Sequence, residues 1–341
     1  MKKITTISIV LGLSLSIPFL VHAGTQEGVS AYKSGDFSSA LQNLNSPASS
    51  GDALAQYYLG QMYLEGSGVP QDYKEAYKWL KMAAEKGNAL AQYSLAIMLI
   101  EGLGTNKDEK QAVDWLQKSS AQGFDKAELT LGYMYDNGKG VPKDLNKAAE
   151  WYLKAANQNN RVAQYNLGLM YSVGDGVPKD LKTSFDWLMK SANNDYPPAE
   201  FRVGYAYDAA QGVDKNYTEA AKWYQKAADQ GNNYAQYNIG NMYWVGDGVN
   251  KDLPKAFSWV KKSAEGGYPK AQFVLGYFYE KGIGTTSDPV SAYAWYNIAA
   301  ANGNQYATSA RNEIQKTMNE SQITAGQKMS KDYFSTLKTS Q

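Results

Sequence analysis

At 341 residues the chain is longer than one compact domain usually needs, and with 43% hydrophobic and 20% charged residues it falls in the folded class. Its 34 basic and 33 acidic side chains leave a formal charge of +1, which gives no electrostatic footprint for nucleic acid. Cysteine is absent and the single histidine is His22, so thiol nucleophiles, disulfides and most zinc ligand sets are excluded together.

The first predicted element is a leader. Lys2 and Lys3 precede an apolar run from Ile7 to Val21, broken at Pro18, and Val21-His22-Ala23 puts small residues at the usual cleavage positions. These features predict a secretory signal peptide over residues 1–23, cut after Ala23. The apolar run is shorter than the roughly 20 residues of a spanning helix, and no cysteine follows it for lipid attachment. Cleavage would leave 32 basic against 33 acidic residues and no histidine. The mature chain is therefore expected in the periplasm or outside the cell, without a membrane span, and held together by packing alone.

Residues 24–54 read as a capping half-repeat. Asp36, Ala40 and Gly51 anticipate Asp72, Ala76 and Gly87 one period later, while Asn43 stands where later units carry Trp. A first helix is predicted near Gln26 to Ser34, turning at Ser34-Gly35.

From residue 55 to 306 the chain repeats every 36 residues, seven times, without insertion. Ala-Gln-Tyr recurs at Ala55, Ala91, Ala163 and Ala235, with Ala127, Ala199 and Ala271 on the remaining nodes. Trp79, Trp115, Trp151, Trp187, Trp223, Trp259 and Trp295 occupy one grid position, and Gly68 through Gly284 another. In the first unit, Ala55, Leu59, Met62 and Tyr63 mark one face of a helix. Gly60 on its flank lets a neighbouring helix approach. Gly66-Ser67-Gly68-Val69-Pro70 stops that helix, Asp72 caps a second one with Glu75 completing a capping box, and Gly87 ends it. Ala76, Trp79, Leu80 and Ala83 make the core face of the second helix. One hairpin cannot bury both faces, so the units must stack, and the Trp ladder is expected in the core. After the repeats, a helix over Ala307 to Asn319 and another capped by Ser321 and running to about Leu337 are predicted as the C-terminal cap, 307–341.

The motif Ala-Gln-Tyr-x-Leu-Gly-x-Met-Tyr, then Gly-x-Gly-Val, Asp, Ala, Trp and Lys-Ala-Ala before Gly, resembles the Sel1-like repeat, a relative of the tetratricopeptide repeat. The resemblance implies an all-α, right-handed superhelical solenoid of antiparallel helix pairs that holds other proteins. It leaves the partner and pathway open. Four departures, Ala96, Ala210, Asn159 and Asp195, replace glycines of the pattern, and the junctions at the last three are expected to bend differently. The fifth unit, with Pro197-Pro198 before it and Asn216 for the capping Asp, admits either a local change of superhelix pitch or a neutral substitution.

Positions that vary between units are those the scaffold does not dictate. On the first helix these are equivalents of 54, 58, 61 and 65, a stripe rotated about 100° from the core stripe. By analogy with the family it lines the concave side. Tyr133, Tyr205, Tyr277 and Asn241 share one of these positions, and Arg202, Tyr234, Asn238 and Tyr306 lie near it. Tyr contributes rigid contact area at low entropic cost, so these residues are candidate partner contacts. Trp244, the one Trp off the ladder, is either a contact of the same kind or fills a gap between helices.

Enzymatic readings are weaker. Some cysteine-rich relatives are linked to β-lactam hydrolysis, but Ser30-Ala31-Tyr32-Lys33 and Ser335-Thr336-Leu337-Lys338 stand without Ser-Asp-Asn or Lys-Thr-Gly. Asp72, Asp108, Asp144, Asp180, Asp252 and Asp288 recur as caps, and Asp175 and Asp247 supply too few oxygens for calcium. The expectation is an exported protein-binding scaffold with no cofactor, metal or catalytic residue. An envelope glycan or peptidoglycan binder or hydrolase, and a secreted effector contacting a host protein, remain alternatives.

Overall fold

A computed structural model describes residues 16–339, with side chains from 24 to 335. The expected leader falls outside the described residues for 1–15 and outside the described side chains for 16–23. The described residues form eighteen helices and no strand, in two compact units divided between Asn160 and Arg161.

The first unit contains α1 (Ser16–Ser34), α2 (Phe37–Ser49), α3 (Ala53–Glu65), α4 (Tyr73–Glu85), α5 (Ala89–Glu101), α6 (Glu109–Ser120), α7 (Asp125–Asn137) and α8 (Leu145–Asn157). The second contains α9 (Arg161–Val173), α10 (Leu181–Asn193), α11 (Pro197–Ala209), α12 (Tyr217–Asp229), α13 (Asn233–Val245), α14 (Leu253–Glu265), α15 (Pro269–Lys281), α16 (Pro289–Ala301), α17 (Ala307–Gln315) and α18 (Glu320–Thr339). Within each unit helices up to α16 pair in chain order as hairpins and successive hairpins stack, while α17 and α18 both pack against α16, so the repeats form the paired-helix solenoid that the periodicity implies.

The repeat grid marks the core. Ala55, Ala76, Ala91, Ala112, Ala127 and their later equivalents are fully buried, with Leu59, Leu80, Leu95 and Leu116 beside them. Gly60 permits the close approach expected of it, since a Cβ there would lie 2.7 Å from Leu80 Cγ. The second loop glycine is required twice over. Gly104 has φ 68°, and a Cβ would come within 2.0 Å of the Tyr73 carbonyl oxygen, so the preceding hairpin's second helix touches bare backbone.

Caps follow the aspartates. Asp72 accepts from the backbone N–H of Lys74 and Glu75, and Asp108, Asp144, Asp180, Asp252 and Asp288 cap their helices likewise. The predicted box at Asp72 closes only halfway, because the Glu75 carboxylate pairs with Lys78 at 3.2 Å. Asn216 caps α12 through the N–H of Glu219, and α11 and α12 keep the 13 residues of most other pairs. The fifth unit thus differs in sequence without differing in helix length.

Asn159, Asp195 and Ala210, at φ 63°, 53° and 54°, hold the left-handed conformation of the glycines they replace. Three expectations need correction. The last two helices are bounded differently, α17 stopping at Gln315 and α18 starting at Glu320. Asn319 caps α18 in place of Ser321, its Oδ1 accepting from Gln322 N at 2.9 Å while Gln322 Oε1 accepts from Asn319 N at 3.0 Å. Finally, the Trp ladder is only half-buried. Lys118, Lys154, Lys190 and Lys262 lie 3.8 to 4.2 Å over the rings of Trp115, Trp151, Trp187 and Trp259, each three residues on along the helix. Trp295 is the exception at 5% exposed, with Ile298 in the lysine position and Tyr333 of α18 edge-on at 5.3 Å.

Candidate functional site

The variable stripe of the first helix in each pair reaches solvent. In α3, Leu54 and Glu65 are exposed and Tyr58 and Gln61 half-buried, while Ala55, Leu59 and Met62 face the core. Helical periodicity separates the two stripes.

The candidate residues do not form one cluster. Tyr133 lies in the first unit, 46% exposed, with Lys139 Nζ 5.0 Å over its ring and donating to its hydroxyl at 3.1 Å. The other eight lie in the second unit. Arg202 and the exposed Tyr205 line a narrow cleft of about 40 Å³ with Leu169 and Phe185. Tyr234, 55% exposed, meets Tyr268 at 4.8 Å and Phe201 at 5.8 Å. Asn238 hydrogen-bonds the buried Tyr224 hydroxyl, and the buried Oδ1 of Asn241 has no partner among the described residues. Trp244 is half-buried, edge-on to Phe278 at 5.0 Å and 6.0 Å from Tyr277. It therefore packs between helices, and it joins Tyr277 in the core cluster of α14 to α16.

Two larger depressions lie mainly on residues outside the candidate set, with Gln61 and Glu65 of the variable stripe on one border and the candidate Tyr306 on the other. In the first unit, Tyr57, Tyr93, Phe124, Gln61, Glu65 and Lys126 border about 470 Å³. In the second, Tyr237, Tyr268, Phe273, Tyr306 and Lys270 border about 640 Å³. Each contains a T-shaped pair, Tyr93 with Phe124 at 5.2 Å and Tyr237 with Tyr268 at 5.3 Å. Phe124, Tyr196 and Tyr268 stand at the N-cap position of α7, α11 and α15 and make no side-chain cap. Asn88 and Asn232, at the same position before α5 and α13, do cap.

This alternation was available in the sequence. From residue 89 the 36-residue units alternate, giving a 72-residue period: aromatic caps at 124, 196 and 268, tyrosines at 133, 205 and 277, acids at 136, 208 and 280, and tyrosines at 152, 224 and 296. The last two sets meet inside the hairpin, Tyr224 donating to Asp208 at 3.3 Å and Tyr296 to Glu280 at 2.7 Å. Burial, reinforced by Glu280, pushes the Tyr296 hydroxyl far above its ordinary range, so it remains a donor at any physiological pH. Although burial opposes ionisation of Glu280, bonds from Lys281 and Tyr296 outweigh it and keep the carboxyl below its usual range.

Among the described residues no three His, Cys, Asp or Glu side chains converge on a metal position, and no helix is long and apolar enough to cross a membrane. Ser335 Oγ donates to the Lys331 carbonyl at 3.0 Å, an ordinary bond along the helix.

Comparison with known proteins agrees with the fold. The Sel1 repeat profile matches residues 53–88, 89–124, 126–160, 161–196, 197–232, 233–268 and 269–304. The crystal structure of a Sel1 repeat protein from Oxalobacter formigenes is similar at 32% identity and TM-score 0.67, over 88% of this chain and 90% of that one. Similar too is c5321, a protective antigen of uropathogenic Escherichia coli strains, at 29% identity and TM-score 0.53, over 92% and 84%. No curated protein matches. With seven matched repeats on a paired-helix framework, the chain belongs to the Sel1 repeat family.

Proposed function

We propose that this chain is an exported scaffold that holds a partner protein against the variable faces of the first helices in its hairpins. The observation that carries this reading is the set of large rings left in solvent there: Tyr133, Tyr205 and Tyr234 are 46%, 39% and 55% exposed, and Tyr306 before α17 is 64% exposed. Each of these rings keeps more than a third of its surface in solvent, and rigid amphipathic rings are among the side chains that carry most energy in protein interfaces. Repeat solenoids commonly mediate protein–protein interaction, which supports the same conclusion. Export rests on the leader at residues 1–23.

The test is a crosslinked pull-down from the cell envelope with residues 24–341, compared with Tyr205→Ala/Tyr234→Ala whose helicity and melting are unchanged. One protein enriched by the parent and lost from the variant supports the scaffold. Retention on cell-wall material, equal in both, would sink it in favour of a glycan binder. Fractionation of cells and medium then separates a periplasmic scaffold from a secreted effector.

A further inference from the structure

The depression beside α15 has a composition that selects among partners. Its walls are aromatic: the Tyr237–Tyr268 pair stands on one side, and Phe273 lies 6.4 Å from the exposed Tyr306 on the other. At about 640 Å³ it has the size of a small-ligand pocket and is large enough to receive a side chain and the backbone next to it. The asparagines on its border are already engaged. Asn302 Nδ2 donates to Gln272 Oε1 at 2.9 Å, and Asn304 Oδ1 accepts from Tyr306 N at 3.0 Å.

Among the described residues Lys270 is the one charged group on this border, and its ammonium enters no ion pair. It sits in the first turn of α15, one residue after Pro269. A cation there opposes the helix macrodipole, so helix stability does not account for a lysine at this position. A neutral sugar or a purely apolar segment would make no use of it. From these features, and resting on the scaffold reading above, we propose that this depression takes an extended peptide segment with an aromatic side chain beside an acidic one, the ring between the Tyr237–Tyr268 and Phe273–Tyr306 walls and the carboxylate on Lys270.

The first unit contains a built-in control. Lys126 occupies the place of Lys270, four repeats earlier, and borders the other depression, but Glu65 borders that depression as well. An acidic segment gains nothing from a mixed-charge border, so the two depressions differ in preference although both are aromatic.

The experiment is fluorescence anisotropy with residues 24–341 and a labelled, end-blocked hexapeptide of three phenylalanine–aspartate steps, beside its phenylalanine–asparagine counterpart. Saturable binding of the acidic peptide is expected, weakened roughly tenfold in the asparagine peptide, in Lys270→Glu and in Tyr306→Ala, and reduced by salt. Lys126→Glu leaves it unchanged. Lys270→Glu places an acid where the helix dipole favours one, so loss of binding there cannot be assigned to unfolding. Equal binding of both peptides, no binding of either, or preferential binding of a peptidoglycan oligomer at the same residues would overturn the proposal. If envelope capture by the parent persists and is lost in Tyr205→Ala/Tyr234→Ala while the peptide fails, this inference falls alone. If capture fails too, the scaffold reading falls with it.

Discussion

A buried glutamine recurs in the first helix of most units, and its two departures show how one atom changes the balance. Gln56, Gln92, Gln236 and Gln272 each donate through Nε2 to a carbonyl of the preceding hairpin, at 3.0 to 3.2 Å. Glu128 and Glu200 stand in the same place and, when ionised, have no proton to donate. Glu200 is compensated by Lys226 at 3.1 Å and Gln230 at 2.7 Å. Glu128, 6% exposed, is left with Gln158 at 2.8 Å. Burial raises its carboxyl above the usual range, with Gln158 and Lys154 offsetting only part of the effect. A carboxyl whose folded pKa is raised contributes stability below its unfolded pKa, and loses that contribution as pH rises through the folded value. Glu128→Gln should therefore stabilise the protein by about 1 kcal/mol at neutral pH and much less near pH 4. Urea unfolding at the two pH values measures it, and an equal gain at both would show that the carboxylate's charge is not the cost.

Among the helices, the instructive ones are those outside the repeat. The sequence pattern placed the hairpins, their Asp caps and the Gly-x-Gly loops correctly because each is set by local chemistry repeated seven times. It put the Trp ladder in the core because spacing alone does not show that a lysine one turn on can cover an indole from the solvent side. The depressions were missed for a related reason: Tyr93 and Tyr237 looked like scaffold when aligned every 36 residues, and only the 72-residue alternation of their aromatic partners sets them apart. At the C-terminus, Ile298 takes the lysine position and α18 supplies the cover. Tyr333 packs edge-on against Trp295, accepts from Gln272 Nε2 at 3.1 Å and donates to the Ala264 carbonyl at 3.2 Å, so one residue fastens α18 across helices α14 to α16. Tyr333→Ala should cost about 2 kcal/mol. It should also release α18 first, seen as faster hydrogen exchange in α16 and a red shift of the Trp295 emission. Uniform loss of protection along the whole chain would mean that α18 is not a separable cap.

For the whole molecule, the 72-residue alternation redefines the building block. Residues 89–160, 161–232 and 233–304 are three copies of one two-hairpin module, and the division between compact units after Asn160 falls at a module boundary. In a repeat array stability is a sum of unit and nearest-neighbour terms, so a deletion is tolerated when the new neighbours match a native pair. Removing residues 197–268 joins Tyr196 to Pro269, which reproduces the native Tyr268–Pro269 junction and keeps the order of alternating hairpins. Removing only residues 233–268 instead joins Asn232 to Pro269, places two hairpins of the same kind side by side, and leaves the new junction without an aromatic cap, whereas the longer deletion keeps the Tyr165–Tyr196 pair there at 5.4 Å. The longer deletion, despite losing twice as many residues, should therefore melt within a few degrees of the parent, and the shorter one clearly lower by the loss of about 1 kcal/mol of aromatic contact at a mismatched junction. Thermal unfolding followed by circular dichroism on both variants decides the matter. If the 36-residue deletion is the more stable, the single hairpin is the unit of cooperativity, and the alternation belongs to recognition alone.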